Sequence, residues 1–134
     1  MNKDKNNKTS SIQGGEIFGE FTSSFDTDIQ MYKEDIAVSI AYSKMLEKIE
    51  IISSFEKDSI VNGLIEILKE IESNKFNWDH SLEDIHLNIE QILYKKIGDT
   101  AGKLHFGRSR NDQVATDVRL YFKNKITNTR NELI

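Results

Sequence analysis

The sequence holds no proline in 134 residues. Proline breaks helix interiors by removing an N–H and clashing with the preceding turn, so its absence opens the way to long uninterrupted helices. The apolar residues carry the matching period, recurring at spacings near three and four. From Asp28, a stripe of Ile29, Tyr32, Ile36, Ile40 and Leu46 is widened by Val38, Tyr42 and Met45. A break follows at Ile52, Ser53 and Ser54. Ser53 with Glu56 three residues later forms a capping-box pattern, and Ile60, Leu64, Leu68 and Ile71 line the next helix. Residues 74–79 read as a loop with Phe76 and Trp78 as anchors. Ser81 with Asp84 is read as opening a third helix on Leu82, Ile85, Ile89, Ile92 and Leu93, closed by Gly98. A linker containing Gly102 and Gly107 leads to a fourth, from about Asn111 or Asp112, on Val114, Val118, Tyr121 and Lys125. Tyr32, Tyr42 and Tyr121 fall on these stripes and are expected in the core, while Lys44 to Glu50 reads as a solvated face. No strand pattern competes, so the predicted fold is all-α.

Composition narrows the function classes. A net charge of −4 argues against a general polyanion binder, because nonspecific nucleic-acid affinity comes from neutralising many phosphates. There is no cysteine, which rules out disulfides and thiolate chemistry. No apolar run approaches the roughly 18 residues of a membrane span, and the N-terminus lacks a signal-peptide core. A soluble, cytoplasmic chain is expected, without membrane or nucleic-acid partners. Residues 1–13, rich in Lys, Asn and Ser, are expected to be a disordered tail. The segment "GGEIFGEF" at 14–21, with three glycines among apolar residues, is expected to be irregular.

The stretch "KLHFGRSRNDQVATD" at 103–117 concentrates the chemistry. Arg108 and Arg110 supply planar guanidinium forks suited to carboxylate or phosphate. Asn111 and Gln113 add amides, and Ser109 to Asp112 lie where a helix begins, so free N–H groups and the positive dipole end favour an anion. These parts describe a pocket for a small polar anion. They are equally compatible with Ser109 or Asn111 capping the helix while the arginines pair with surface carboxylates.

"GRSRNDQVATD" also resembles the fingerprint of argininosuccinate lyases, in the fumarase/aspartase superfamily. "EDIHLNIEQILYKKIGDTAGKLH" at 83–105 is similar to that family's E-D-I-H…IG…GKLH run. "FTSSFDTDIQMYKEDIAVSIAYSKML" matches its upstream segment at Phe21, Ser24, Asp28, Asp35, Ile36, Ser39, Ala41, Ser43, Lys44 and Leu46. The resemblance covers about residues 14–134, and only the first part of a full-length member. It implies β-elimination of argininosuccinate to arginine and fumarate, with no cofactor. It implies an N-terminal helical substrate-binding domain over 14–110 and, over 111–134, the start of the long central bundle helix of the fumarase/aspartase-like fold. By that resemblance Ser24 and Asn111 bind substrate, Arg108, Ser109 and Arg110 help to hold its carboxylates, and His86 positions or polarises it as a supporting catalytic residue. The family's general acid/base histidine and serine-bearing loop would lie past residue 134, and its sites combine residues from three subunits of a homotetramer, so this chain alone is expected to be inactive.

The pattern departs from the family at Glu16, where arginine is usual, at Thr22 in place of asparagine, and at Phe106 in place of threonine before Gly107. His86 and Glu90 are four apart, a spacing found in metal sites. With only His80 and His105 elsewhere and no further ligand pattern, no metal is expected. His86 is equally readable as a satisfied partner of Asp84 or Glu90. The rival readings are another superfamily lyase, against which GRSRNDQ argues, and a non-catalytic helical relative.

Overall fold

The structure is a computed structural model that describes residues 24–134. The expected tail at 1–13, the irregular segment at 14–21 and Thr22 lie outside the described residues. Among those described there are helices and no strand. Helix α1 (Phe25–Asp28) and a 3₁₀ turn (Ile29–Met31) lead into α2 (Tyr32–Lys48). They are followed by α3 (Ser54–Glu72), α4 (Ile85–Ile97), a 3₁₀ segment (Gly98–His105) and α5 (Arg110–Glu132).

The apolar periods place the core. Ile36 and Leu46 of α2 meet Ile60, Leu64 and Ile67 of α3 and Ile89 and Leu93 of α4, with Ile52, Phe76 and Leu104 closing the ends. Gly63 lets α4 approach α3: a Cβ there would stand 2.7 Å from a Leu93 methyl. The loop anchors behave as expected. Phe76 packs against Trp78 at a tilt of 56° with centroids 4.3 Å apart, and Trp78 meets Phe25 edge-on at 5.5 Å.

Caps define the helix ends. Ser53 and Glu56 form the reciprocal box that the sequence announces. Gly98, with φ 64°, follows α4 in the left-handed region that glycine tolerates. The third helix begins later than expected. Ser81 does not cap it; its N–H donates to Asp79 Oδ1 at 2.9 Å, and Leu82 stays outside the helix. Asp84 takes the cap, accepting from Leu87 N–H at 2.7 Å, because its carboxylate is the nearer acceptor for the free first-turn amides. The supposed glycine linker is ordered as the 3₁₀ segment, with Leu104 buried. The fourth helix starts one residue early, at Arg110, because Ser109 is its cap.

The tyrosines sit differently from expectation. Tyr32, Tyr42 and Tyr121 are half-buried rather than core, since their hydroxyls need polar partners; Tyr121 donates to Gln30 at 2.9 Å. The fourth helix faces the body with more than its apolar stripe. Its buried residues are Gln113 and Asp117, and no α5 residue joins the apolar cluster.

Candidate functional site

The mouth of α5 organises the site. Ser109 is extended, and its Oγ accepts the Asn111 N–H at 3.2 Å, while its own N–H donates to Asp112 Oδ2 at 3.3 Å. This box commits Ser109 to capping and fixes the directions taken by its neighbours. Gly107, at φ 66°, supplies the turn before it. Asn111 is exposed, with its amide open to solvent.

The two arginines then diverge. Arg108 reaches back to α2, where Nη1 lies 3.5 Å from Ser39 Oγ and the guanidinium sits 4.9 Å above the Tyr42 ring. The Tyr42 hydroxyl donates to the Phe106 carbonyl at 2.8 Å, fastening the turn that carries Arg108. Arg110 leans towards α4. Its Nη2 donates to Glu90 Oε2 at 2.9 Å, Nε stands 3.7 Å from Asp84 Oδ2, and Nη1 donates to Gln113 Oε1 at 2.8 Å. Glu90 also has His105 Nδ1 3.5 Å away. The reading in which the arginines pair with surface carboxylates thus holds for Arg110 and not for Arg108.

Beneath this mouth lies a wholly polar interior. Gln113 Nε2 donates to Asp35 Oδ1, and His86 Nδ1 meets the same oxygen at 3.0 Å. Asp117 Oδ2 stands 3.7 Å from His86 Nδ1. Asp35, His86 and Asp117 are each 1% exposed or less. The expected partners of His86, Asp84 and Glu90, are therefore replaced by Asp35. Asp84 is spent on its cap and Glu90 turns outward to Arg110. Because a carboxylate only accepts, Nδ1 of His86 carries the hydrogen.

Burial sets the charges. It pushes Asp117 up to about 8, with the Asp35 charge acting in the same direction. Burial opposes the ionised form of Asp35 too, but the His86 and Gln113 hydrogen bonds outweigh it and hold Asp35 below its ordinary value. Burial likewise works against a charged His86, and the hydrogen bond and charge of Asp35 raise it nonetheless. The result is one ionised and one protonated carboxyl around an imidazole. Both Asp117 oxygens and His86 Nε2 have no hydrogen-bond partner among the described residues, so Asp117 is buried without the donors that a carboxylate needs, which favours its neutral form. Donor atoms of Asp35, His86 and Asp117 lie within 4.8 Å of one another and are of types that ligate divalent cations. Asp35 Oδ1, however, is already engaged by two donors, His86 Nδ1 and Gln113 Nε2.

Ser24 is brought to the edge of this region. Its N–H donates to the Glu83 carbonyl at 3.1 Å, one residue before Asp84, and its hydroxyl donates to Asp28. A crevice of about 10 Å³, the scale of one water, is lined by the polar Asp35, Ser39, Glu90, His105, Arg108 and Gln113 and by the apolar Leu64, Ile89, Leu93 and Leu104. Beside it, a cavity of about 230 Å³ between Leu87, Tyr94, Ala101 and Leu104 shares Glu90 and His105. The arrangement suits binding of a small anion at the arginines. His86 has no exposed surface, so it acts on any ligand only through its neighbours.

Sequence reasoning gave no role to Asp35, Tyr42 or Asp117 in this assembly; it placed Gln113 among the amides of the pocket and Glu90 beside His86. A signal existed: Asp35, Ser39 and Ser43, like Gln113 and Asp117, recur four apart, the period of a buried face written in polar letters.

A family model described as lyase matches residues 9–133. Among similar curated proteins, the argininosuccinate lyase of Hahella chejuensis is 52% identical over 114 residues, covering 85% of this chain and 24% of that protein. The argininosuccinate lyase of Acinetobacter baumannii strain ATCC 17978 is 48% identical over 127 residues, covering 90% of this chain and 27% of its own. That of Acinetobacter baylyi is 48% identical over 126 residues, with 89% and 26% covered. The chain thus spans about a quarter of the length of the curated relatives it matches.

Proposed function

The chain belongs to the lyase family, and on that footing we propose that it works as the N-terminal part of an argininosuccinate lyase, in a homotetramer of the cytoplasm and in arginine biosynthesis. The reaction is a β-elimination. A proton leaves the succinyl carbon beside a carboxylate, the electron pair forms the fumarate double bond, and the C–N bond breaks to release arginine. Negative charge builds on the carboxylate as the proton departs, and fixed donors lower that barrier most when they are already in place.

The observation that carries this reading is the preset guanidinium of Arg110 at the mouth of α5. It has five N–H groups, of which hydrogen bonds to Gln113 and Glu90 take two. Glu90 holds the place that a substrate carboxylate would take, so binding exchanges one anion for another with the fork still aimed. Arg108, stacked on Tyr42, offers a second fork, and the exposed Asn111 amide a neutral donor. Ser24, beside Glu83, borders the same edge. Ser109 contributes by capping, which sets the heading of both arginines. In this proposal residues 14–110 form the substrate-binding domain and 111–134 begin the central bundle. The proton-abstracting base is supplied by other parts of the assembled enzyme, and the chain by itself has no lyase activity.

The test is substrate affinity in the assembled enzyme. Arg110→Ala and Asn111→Ala should each raise the KM for argininosuccinate about tenfold or more, the loss of one charge-assisted contact of about 1.5–3 kcal/mol. An unchanged KM in both variants overturns the reading.

A further inference from the structure

We propose that Gln113 and Asp35 are positioning residues: a buried relay running Asp35–Gln113–Arg110 holds the substrate-facing guanidinium and ties its orientation to His86. The inference rests on the substrate role proposed above for Arg110.

Gln113 is 3% exposed and spends both ends of its amide. Its oxygen accepts from Arg110 Nη1 at 2.8 Å, and its nitrogen donates to Asp35 Oδ1. Amide orientation is set by the network around it, and here the network leaves one choice. A flipped amide would set NH₂ against a guanidinium and a carbonyl against a carboxylate, replacing two attractive contacts with two repulsive ones. Gln113 therefore has a single low-energy state, and Arg110 inherits it.

The other two partners of Arg110 cannot do the same work. Glu90 is a carboxylate at the open mouth with 36% of its side chain exposed, where an incoming substrate carboxylate competes with it directly. Asp84 is buried and committed to capping α4, and its other oxygen stands 3.7 Å from Nε, beyond hydrogen-bond reach. Gln113 lies beneath the guanidinium, out of reach of solvent and ligand, and keeps its grip through that exchange.

Asp35 anchors the relay from the other end. The one oxygen that receives Gln113 also receives His86 Nδ1 at 3.0 Å. A displacement of Asp35 moves both donors together, so imidazole and guanidinium keep a fixed separation. This assigns the buried polar cluster a purpose that stability does not require: it sets the geometry of the mouth from below.

A double-mutant cycle in the assembled enzyme separates the relay from general structural support. Gln113→Met keeps the volume and removes both contacts. It should raise the KM for argininosuccinate about fivefold in the wild-type background and have no further effect in an Arg110→Ala background. Losses that simply multiply would overturn the relay while leaving the substrate role of Arg110 intact. A neutral Arg110→Ala would overturn the substrate role, and the relay with it. The split between KM and kcat supplies a second readout. Gln113→Met should act on KM, with kcat within about twofold of wild type, because Gln113 aims a binding group and touches no reacting atom. A fall in kcat with KM unchanged overturns the proposal.

Discussion

Helix α2 has two interiors, one on each side. Towards α3 and α4 it offers Ile36 and Leu46 to Leu64, Ile67, Ile89 and Leu93. Towards α5 it offers Asp35 and Ser39 to Gln113, Asp117 and Arg108, with His86 of α4 between them. Both sides exclude water almost completely. Apolar contact is non-directional and scales with area, so the first interior supplies stability and tolerates small shifts of its side chains. Hydrogen bonds to buried charge are directional and net little against desolvation, so the second contributes little stability and fixes angles. A fold that needs stability and aim at once has placed them on opposite faces of one helix.

The largest expected effect lies on the apolar side. Ile67 is fully buried in the apolar cluster, outside the crevice that Leu64 shares with Asp35, Glu90 and His105, and Ile67→Ala should cost about 2–5 kcal/mol in urea unfolding, through lost transfer energy and the cavity left behind. The cost should be equal at pH 5 and pH 8, since Ile67 shares no crevice wall with those titrating groups. A cost that varies with pH would mean that the two interiors are coupled beyond the crevice they share.

The next effect belongs to the polar side and depends on pH. Asp117 holds its proton up to about 8, whereas an unfolded aspartate gives it up near 3.8. Between those values the folded chain binds more protons than the unfolded one. Stability therefore falls as pH rises through that window, by at most about 1.4 kcal/mol per pH unit. His86, raised despite its burial by Asp35, works in the same sense: its contribution is full below its ordinary value of 6.5 and is lost as pH climbs through the folded value. Asp35, held low, contributes above 3.8 and is lost as pH falls through its folded value. Unfolding free energy should peak near pH 4 and decline from there towards 8. Asp117→Asn, which keeps the shape and removes the proton equilibrium, should flatten the decline. A wild-type profile already flat from pH 5 to 8 would break the assignment of protons in the polar interior.

The two interiors also differ in how far they could be read in advance. Ile60, Leu64, Ile89 and Leu93 announced themselves by period, and Ser53 with Glu56 by a local pattern whose partners are three residues apart. Such signals live within one helix. Asp35 and Gln113 meet across 78 residues, and His86 finds Asp35 across 51. On its own helix each looks like a solvated polar residue. What marked them was membership of a recognisable pattern, which named Asp35, Ser39 and His86 and gave a role only to the histidine. The start of α4 shows the same limit at short range: Ser81 with Asp84 read as the opening pair, and the backbone starts the helix three residues later, with Asp84 as its cap.

A smaller effect tests the claim that the apolar side is supported by local signals. Ser53→Ala removes the acceptor for the Glu56 N–H and half of the box at the start of α3. Loss of such a cap costs about 1 kcal/mol. The expected change is a lower unfolding midpoint with an unchanged pH profile from pH 5 to 8, because Ser53 has no link to the Asp35 cluster and Glu56, which Lys103 and Ser53 together hold down at about 2, titrates below that range. A shift in the profile between pH 5 and 8 would connect the two sides through α3.

The smallest expected effect is on the polar side, where the division of labour is sharpest. Ser39 is buried on α2 and its hydroxyl is the hydrogen-bond partner of Arg108, but at 3.5 Å, the long limit of such a contact. Alanine fits the helix slightly better than serine. Ser39→Ala should therefore leave stability within about 0.5 kcal/mol of wild type, the lost contact and the gained propensity offsetting one another. The Tyr42 ring holds the guanidinium at 4.9 Å regardless, so substrate affinity in the assembled enzyme should fall less than twofold, whereas Tyr42→Leu should lower it more. If Ser39→Ala destabilised the fold by 2 kcal/mol or more, the polar interior would be bearing stability as well as geometry, and the contrast across α2 would fail.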